Sequence, residues 1–436
     1  MPTRQTAHHV PLTETLFRSA DHEDPNAPVN THHDSASPDA RSGPLTDLKV
    51  LDISTVLAGP FAAQVLGDYG ADVIKIEHPT KGDNLRGHGA QVQGEGLWWK
   101  IINRNKRHLA LYLGHPEGAA IFTQLASEAD VVIENFRPGT LERWGLGYDV
   151  LSADNPGLVL CRVTGFGQTG PYSGRPAFGT LVEAMSGFAH MTGEADGPPT
   201  LPPFGLADSV AALAAVNGIM MAIHERSNSG KGQVVDLAIL EPLAAALGPH
   251  IVTYDQTGSI ARRNGNRSSN NAPRNTYKTN DGRWVAVSSS ADSIARRAME
   301  LVGHAEVCDE PWFATGAGRA EHADLIDGYV AAWIGARPLD EVIAEFAAAE
   351  VALAPVYDVE QYMADEQVEA RGAVATVEDP TLGNVRMQNV LFKLSDTPGG
   401  IRHTGRAIGT DTDSILDDLG LDASQVEGLR AAGVIA

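Results

Sequence analysis

Leu48-Lys49-Val50-Leu51-Asp52-Ile53 reads as a β-strand, Thr55–Gly59 as a turn, and Pro60 as the opening of a helix that stops at Gly70; a second strand follows in Asp72–Glu77. Pro in the first helical turn and Gly at the end are start and stop signals. Pro fixes a helical φ where its missing N–H costs nothing, and Gly adopts the left-handed conformation that ends a helix. Strand, helix and strand within about 30 residues make a βαβ unit, so the sheet is parallel and its ligand belongs beyond the carboxyl ends of the strands.

The alternation continues through a strand at Leu109–Tyr112, a helix at Pro116–Ser127 and strands at Val131–Glu134 and Leu158–Thr164. From Thr180 to Asn228 the pattern is helical. A turn at Ser229-Gly230-Lys231-Gly232-Gln233 leads into a strand, Val234–Ala238, and then a helical stretch, Leu240–Tyr254. Residues 259–275 are polar and punctuated by Gly and Pro, the mark of a loop or boundary. Beyond them Thr276–Thr279 and Trp284–Ser288 flank Asn280-Asp281-Gly282, whose Asp-Gly step signals a hairpin. Helices follow around Ser293–Val302, Ala320–Trp333 and Leu339–Glu350, with short helices in the tail at Ile415–Leu419 and Ala423–Ala432. The pattern predicts an α/β protein with a discontinuous, Rossmann-like large domain (45–255 and 375–436), a smaller α+β domain (262–360) and linkers at 256–261 and 361–374.

Residues 1–44 are rich in His, Asp, Pro, Ser and Thr, lack apolar periodicity and the apolar core of a signal peptide, and are expected to be a disordered extension. The remainder of the 436 residues, 43% apolar overall, is long enough to bury substantial cores. A net charge of −22 repels nucleic acid and anionic lipid, so neither is an expected partner. Two cysteines, Cys161 and Cys308, are too few for a disulfide framework or a thiolate metal site, which fits a cytoplasmic protein with no metal. The longest apolar helical stretch, Ala211–Ile223, is interrupted by Asn217 and Gly218, so no membrane span is expected.

No G-x-G-x-x-G after a strand, no G-x-x-x-x-G-K-[ST], no H-E-x-x-H and no G-x-S-x-G occurs. Other strings are present in order: Val50-Leu51-Asp52 with Ala58-Gly59-Pro60; Gly70-Ala71-Asp72-Val73-Ile74-Lys75-Ile76-Glu77; Asn103-Arg104-Asn105-Lys106-Arg107; Glu134-Asn135-Phe136-Arg137-Pro138-Gly139 running on to Arg143; Thr164-Gly165-Phe166-Gly167-Gln168-Thr169-Gly170-Pro171; Gly205-Leu206-Ala207-Asp208; and Gly230-Lys231-Gly232-Gln233-Val234-Val235-Asp236. Over about residues 46–436 their order and spacing resemble the class III CoA-transferases, the group of formyl-CoA transferase and carnitine CoA-transferase, with the α-methylacyl-CoA racemases as relatives.

An acidic protein that binds the phosphates of coenzyme A needs a local cationic cluster, and Lys75, Arg104, Lys106, Arg107, Arg137 and Arg143 fall after strands or in adjacent loops. The resemblance further implies Val56 and Ala58 against the nucleotide, His78 beside it, and Asn135, Phe136 and Arg143 along the pantetheine or phosphates. Coenzyme A and acyl-CoA are then substrates, with a carboxylic acid as the second partner and no permanently bound cofactor. Read alone, Asp208 before Ser209 at the head of an apolar helix (Ser209–Glu225) is an N-cap. The resemblance makes it the nucleophile instead, a carboxylate already ionised at neutral pH that attacks a thioester without help from a base.

Covalent acyl intermediates need shielding from water. The family's glycine-rich cover corresponds here to Ser268-Ser269-Asn270-Asn271-Ala272-Pro273, which contains no glycine, leaving Asn270 and Asn271 as hydrogen-bond donors. The racemases use a His 30 residues before the aspartate; Phe178 stands there, with Gly179 beside it, and Phe cannot carry a proton. His190 and Glu183 are further titratable groups on the helical segment. A CoA-dependent lyase or hydratase and a non-catalytic CoA-binding subunit are the remaining alternatives. The resemblance also implies two chains threaded into an interlocked homodimer. Basic residues near the acyl pocket are few, Arg175 being the clearest, which weighs against a dicarboxylic substrate.

Overall fold

The computed structural model describes residues 41–436; the expected extension at 1–44, with its histidine pairs, lies outside the described residues but for its last four. Six parallel strands form the central sheet: β1 Lys49–Asp52, β2 Asp72–Glu77, β3 Lys106–Ala110, β4 Val131–Glu134, β5 Val159–Thr164 and β6 Val234–Ala238, in the order β3-β2-β1-β4-β5-β6. Val50 pairs with Val73 on one side and Val131 on the other. Chain order reverses between β1 and β4, and an open parallel sheet leaves a crevice at the carboxyl ends there.

Both faces are covered, so the strands bury residues of either parity. On one face Leu51, Ile74, Val132 and Leu160 pack against Ile121, Phe122 and Leu125 of helix Pro116–Ser127 and against Ile415, Leu416 and Leu429 of the tail. On the other, Val50, Val73, Ile133 and Val159 pack against helix α1 (Ala58–Asp68) and helix α4 (Leu206–Ser229); between them in sequence lie α2 (Pro116–Ser127) and α3 (Gly179–Met185). Helix α4 buries Ala207, Ala211, Ala212, Ala215, Ile219 and Ala222, a stripe of small side chains that lets it approach the sheet closely. The helix is 24 residues long and holds an 18-residue window with a mean hydropathy of 1.7, long and apolar enough to cross a membrane, contrary to the sequence expectation, because the break at Asn217-Gly218 does not interrupt it. Here it packs one stripe on the sheet, with a third of that window buried.

A second hydrophobic cluster, including Tyr277, Val285, Val287, Met299, Ile326 and Phe346, is built from 272 to 351. Its sheet joins β7 Arg274–Lys278, β8 Trp284–Ser288 and β9 Leu353–Pro355 antiparallel, with Gly282 at φ +83° closing the expected hairpin. Several expectations are corrected. The stretch Leu240–Tyr254 is two helices, Leu240–Ala246 and His250–Thr257, divided at Gly248-Pro249. The expected linker at 361–374 holds most of helix Val359–Ala364, capped by Asp358, and helix Glu366–Ala370. An unforeseen hairpin pairs β10 Val374–Asp379 with β11 Gly383–Gln388. Strand β3 begins at Lys106, three residues before the expected Leu109.

Candidate active site

The cleft opens where β1, β4 and β5 end. Ser54 folds back on Asp52, whose Oδ1 accepts its backbone N–H at 3.1 Å. Thr55 and Asn135 then exchange two hydrogen bonds, N–H to Oδ1 at 2.8 Å and Nδ2 to carbonyl at 2.7 Å, which ties the turn after β1 to the turn after β4. Val56 sits at φ +66°, a strained conformation for a β-branched residue. Its N–H donates to the Asp83 carboxylate at 3.0 Å, and Asp83 also accepts from Lys75 at 3.0 Å and from the Leu85 N–H at 2.9 Å. The strain is thus held by a buried acid supplied by a later loop.

The cations expected to hold phosphate behave differently. Lys75 and Lys106 are fully buried: Lys75 bridges Asp52 and Asp83, and Lys106 Nζ lies 2.9 Å from Asp52 Oδ2, 2.8 Å from the Pro60 carbonyl and 2.9 Å from Asn103 Oδ1. Arg104 is buried against Asp68 at 2.6 Å and donates to the Gln388 carbonyl. Arg107 pairs with Asp72 and Asp418. All four are therefore paired within the chain: Lys75, Lys106 and Arg107 lie in strands of the sheet and Arg104 in the turn before one, where a cation removed from water is stable only beside a carboxylate. Arg137 and Arg143 do reach the surface, Arg143 donating to Thr140 Oγ1 at 2.8 Å.

A cleft of about 230 Å³ gathers Thr55, Val56, Leu57 and Ala58 from the first turn, Asn135, Phe136, Arg137 and Pro138 from the second, and Thr164 and Gly165 from the third. Arg175 and Phe178 from the following loop, and Asp208, complete it. A second slot of about 130 Å³ shares Thr55 and Phe136 with it and is lined by His78, Tyr112 and Trp144, the His78 and Tyr112 rings lying 4.6 Å apart. Tyr112 and Trp144 were not foreseen; their signal was an aromatic just past a strand and one next to Arg143. Asn270 and Asn271 line neither space. Asn271 is buried in the second cluster, its Oδ1 3.4 Å from Arg319, and Asn270 accepts from Ser268. The expected cover is therefore not part of the cleft within one chain.

Asp208 is the third residue of α4, not its cap: Gly205 occupies the N-cap and carries no side chain to fill that role. Glu183 of α3, 2% exposed, takes it over by accepting the Ala207 N–H at 3.1 Å. Gly179, the first residue of α3, faces the carboxylate so closely that a Cβ there would lie 2.6 Å from Asp208 Oδ2. Gly165 admits the loop that carries Arg175 and Phe178, since a Cβ on it would stand 2.1 Å from Ala177 Cβ. Burial, and secondly the neighbouring Glu183, push the Asp208 carboxyl up to about 6. At neutral pH it is still mostly ionised, in a part-buried position that offers the charge less solvent than an exposed carboxylate has. His190 lies outside both spaces. Among the described residues no group of three His, Cys, Asp or Glu is placed to hold a metal.

The chain is 43% identical over 394 residues to succinyl-CoA–D-citramalate CoA-transferase of Chloroflexus aurantiacus, covering 90% of this chain and 98% of that protein. It is 38% identical to the succinyl-CoA–L-malate CoA-transferase beta subunit of the same organism, over 90% and 98%. Mouse succinyl-CoA:glutarate CoA-transferase matches at 30% over 90% of each. A CaiB/BaiF family protein from Brucella suis shares the fold with a TM-score of 0.76 at 31% identity, covering 87% of this chain and 100% of that one. The profile of CoA-transferase family III matches residues 45–412. By these matches and by its central parallel sheet, the chain is an enzyme of CoA-transferase family III.

Proposed function

We propose that this enzyme moves CoA from succinyl-CoA to a second short dicarboxylic acid through covalent intermediates on Asp208. The observation that carries the reading is the placement of an ionisable, half-buried carboxylate in the cleft, with Gly179 leaving open the space in front of it. The substrates come from the relatives, whose names pair succinyl-CoA with citramalate, malate or glutarate.

The chemistry balances without a base or an external reductant. An Asp208 oxygen attacks the succinyl-CoA carbonyl, the C–S bond breaks, and a mixed aspartyl–succinyl anhydride forms with CoA thiolate as leaving group. The thiolate attacks the aspartyl carbonyl, succinate departs, and an aspartyl-CoA thioester remains. The acceptor carboxylate attacks that thioester to give a new anhydride and thiolate. The thiolate then takes the acyl group and frees Asp208. A carboxylate near pH 6 is nearly matched in basicity to the acids it exchanges with, so neither anhydride is a deep trap.

The nucleotide end of CoA is assigned to the slot between His78 and Trp144, with Val56, Ala58, Asn135 and Phe136 along the path to Asp208 and Arg137 and Arg143 at the rim. We read the sheet as Rossmann-like and the two clusters as the expected large and small domains. We propose the interlocked homodimer as well, and exposed apolar surface is what favours it. Helix His250–Thr257 buries none of its residues, and Ile251, Val252 and Met221 stand 63%, 57% and 70% exposed, surface suited to a second copy. Such a copy would also bring a segment like 268–273 over the cleft. Phe178 at the cleft wall supports transfer over racemisation, because it offers no proton carrier.

The test is mass spectrometry after incubation with succinyl-CoA and hydroxylamine or borohydride. A modification at Asp208, lost in Asp208→Ala, is the expected result. CoA binding with no modification under any thioester would remove the covalent reading.

A further inference from the structure

We infer that Arg175 is the residue that selects dicarboxylic over monocarboxylic acids, by holding the substrate carboxylate remote from the one that reacts at Asp208. The assignment rests on the transfer reading above. It starts from the charges in the cleft: the lining holds one carboxylate, Asp208, and two cations, Arg137 and Arg175. In a chain of net charge −22 that local excess of positive charge has to be built in, because the general field opposes anionic ligands.

The two arginines stand on different walls. Arg137 follows Phe136, which with Thr55 is common to the cleft and the slot containing His78, and so belongs to the CoA side. Arg175 belongs to the loop 173–178 that runs directly into Gly179, which faces the Asp208 carboxylate so closely that a Cβ there would collide with it. Four residues of chain span at most about 14 Å, which keeps the Arg175 backbone within side-chain and substrate reach of the reacting oxygen. Gly165 fixes this loop against the end of β5, since no side chain at 165 could coexist with Ala177.

The guanidinium is oriented before substrate arrives. Its central carbon lies 3.6 Å from the centre of the Tyr172 ring, a stacking contact that uses the face of the group and leaves its N–H edges open. Among the described residues it has no carboxylate partner, whereas Lys75, Lys106, Arg104, Arg107 and Arg162 each have one. An exposed, stacked, unpaired Arg presents two parallel donors, the complement of a carboxylate. A monocarboxylic acid would leave that pair of donors facing a methyl group. Phe178, 69% exposed beside it, offers apolar surface for the methylene chain between the two acid groups.

The experiment compares acceptors at saturating succinyl-CoA: succinate analogues and glutarate against butyrate and valerate, for wild type, Arg175→Gln and Arg175→Lys. In a ping-pong scheme kcat/KM for the acceptor reports only the half-reaction that the acceptor enters, so the donor's own second carboxylate does not confuse the result. The expected outcome is a wild-type preference for glutarate over valerate that falls by about 10- to 100-fold in Arg175→Gln, the range lost with a charge-assisted hydrogen bond. Arg175→Lys keeps charge without the fork and falls between. A wild-type preference near one, or a preference unchanged in Arg175→Gln, overturns the assignment. So does an equal loss for both acids, which would place Arg175 in CoA binding or in the fold. Absence of transfer and of Asp208 labelling in the wild type with every pair removes the transfer reading and the assignment together, a result distinct from the other three.

Discussion

Replacing Gly179 by Ala separates activity from stability with opposite expected signs. An added Cβ meets Asp208 Oδ2 at 2.6 Å, Cγ at 3.0 Å and Oδ1 at 3.4 Å. To restore ordinary contact the nearer oxygen has to retreat by about 0.8 Å. The carboxylate is two torsions from a helical backbone, so the retreat rotates it away from the cleft and does not move the helix. A displacement approaching 1 Å at a reacting atom costs on the order of 100-fold in rate, so kcat for CoA transfer should fall by about that factor while KM for the thioester changes little. Gly179 has no left-handed φ to protect and begins a helix, where Ala is favoured by up to about 1 kcal/mol. The thermal midpoint should therefore hold or rise. Steady-state kinetics with succinyl-CoA, hydroxylamine trapping at Asp208 and thermal unfolding by circular dichroism read the three quantities. Full activity in a normally folded Gly179→Ala enzyme would refute the placement of the nucleophile in front of that glycine.

Three further outcomes follow from the same site. The rate should fall on the acid side with a midpoint near the 6 to which Asp208 is raised, and Glu183→Gln, which keeps an acceptor for the Ala207 N–H but removes the second cause of the shift, should move that limb to lower pH; a pH–rate profile that does not move would show that Glu183 only caps the helix. Because the folded-state value lies above the ordinary 3.8, ionised Asp208 costs stability that is absent at low pH and present once pH exceeds about 6, so Asp208→Asn should stabilise at pH 7.5 by roughly 1–3 kcal/mol and give no gain at pH 4, read by urea unfolding at both. Lys75→Met should destabilise by about 3–5 kcal/mol, because it leaves Asp52 and Asp83 buried together without the cation between them; a raised KM for CoA with unchanged stability would instead return Lys75 to the phosphate role expected from sequence.

The sheet was legible because its inner strands are buried on both faces and all are punctuated cleanly: Asp72–Glu77, Val131–Glu134, Val234–Ala238 and helix Pro116–Ser127 fall where the pattern put them. Strand β3 was displaced because Lys106-Arg107-His108 looks like a loop, and only tertiary pairing to Asp52, Asp72 and Glu77 lets such residues occupy a covered sheet. The start of α4 was misplaced for a related reason. Asp208 before Ser209 resembles a cap, yet the cap is supplied from 24 residues away by Glu183, which no local pattern announces. The β10–β11 hairpin escaped notice because its turn, Asp379-Pro380-Thr381-Leu382-Gly383, is longer than a two-residue Asp-Gly step and is organised by Asp379 accepting from Thr381 and Leu382.

The reassigned lysines change how an acidic enzyme is understood to hold an anionic ligand. Asp52, Lys75, Asp83 and Lys106 form a closed group of two cations and two anions, so it contributes little net field at the cleft. What it contributes is shape. Asp83 holds the Val56 N–H, Lys75 donates to the Ser54 carbonyl, and Lys106 holds the Pro60 carbonyl, so the turn from 54 to 60 is clamped at three backbone points. That turn carries Val56, Leu57 and Ala58 along the cleft and leads into α1, whose first amides face the switch point of the sheet. Of the exposed arginines, Arg137 and Arg175 line the cleft and put positive charge at separate places on its wall, while Arg143 lies on the surface near Thr140. A pooled cluster of lysines would bind any phosphate or carboxylate; under the proposed function, Arg137 and Arg175 spaced around a rigid turn would instead separate a CoA site at one end from an acid site at the other.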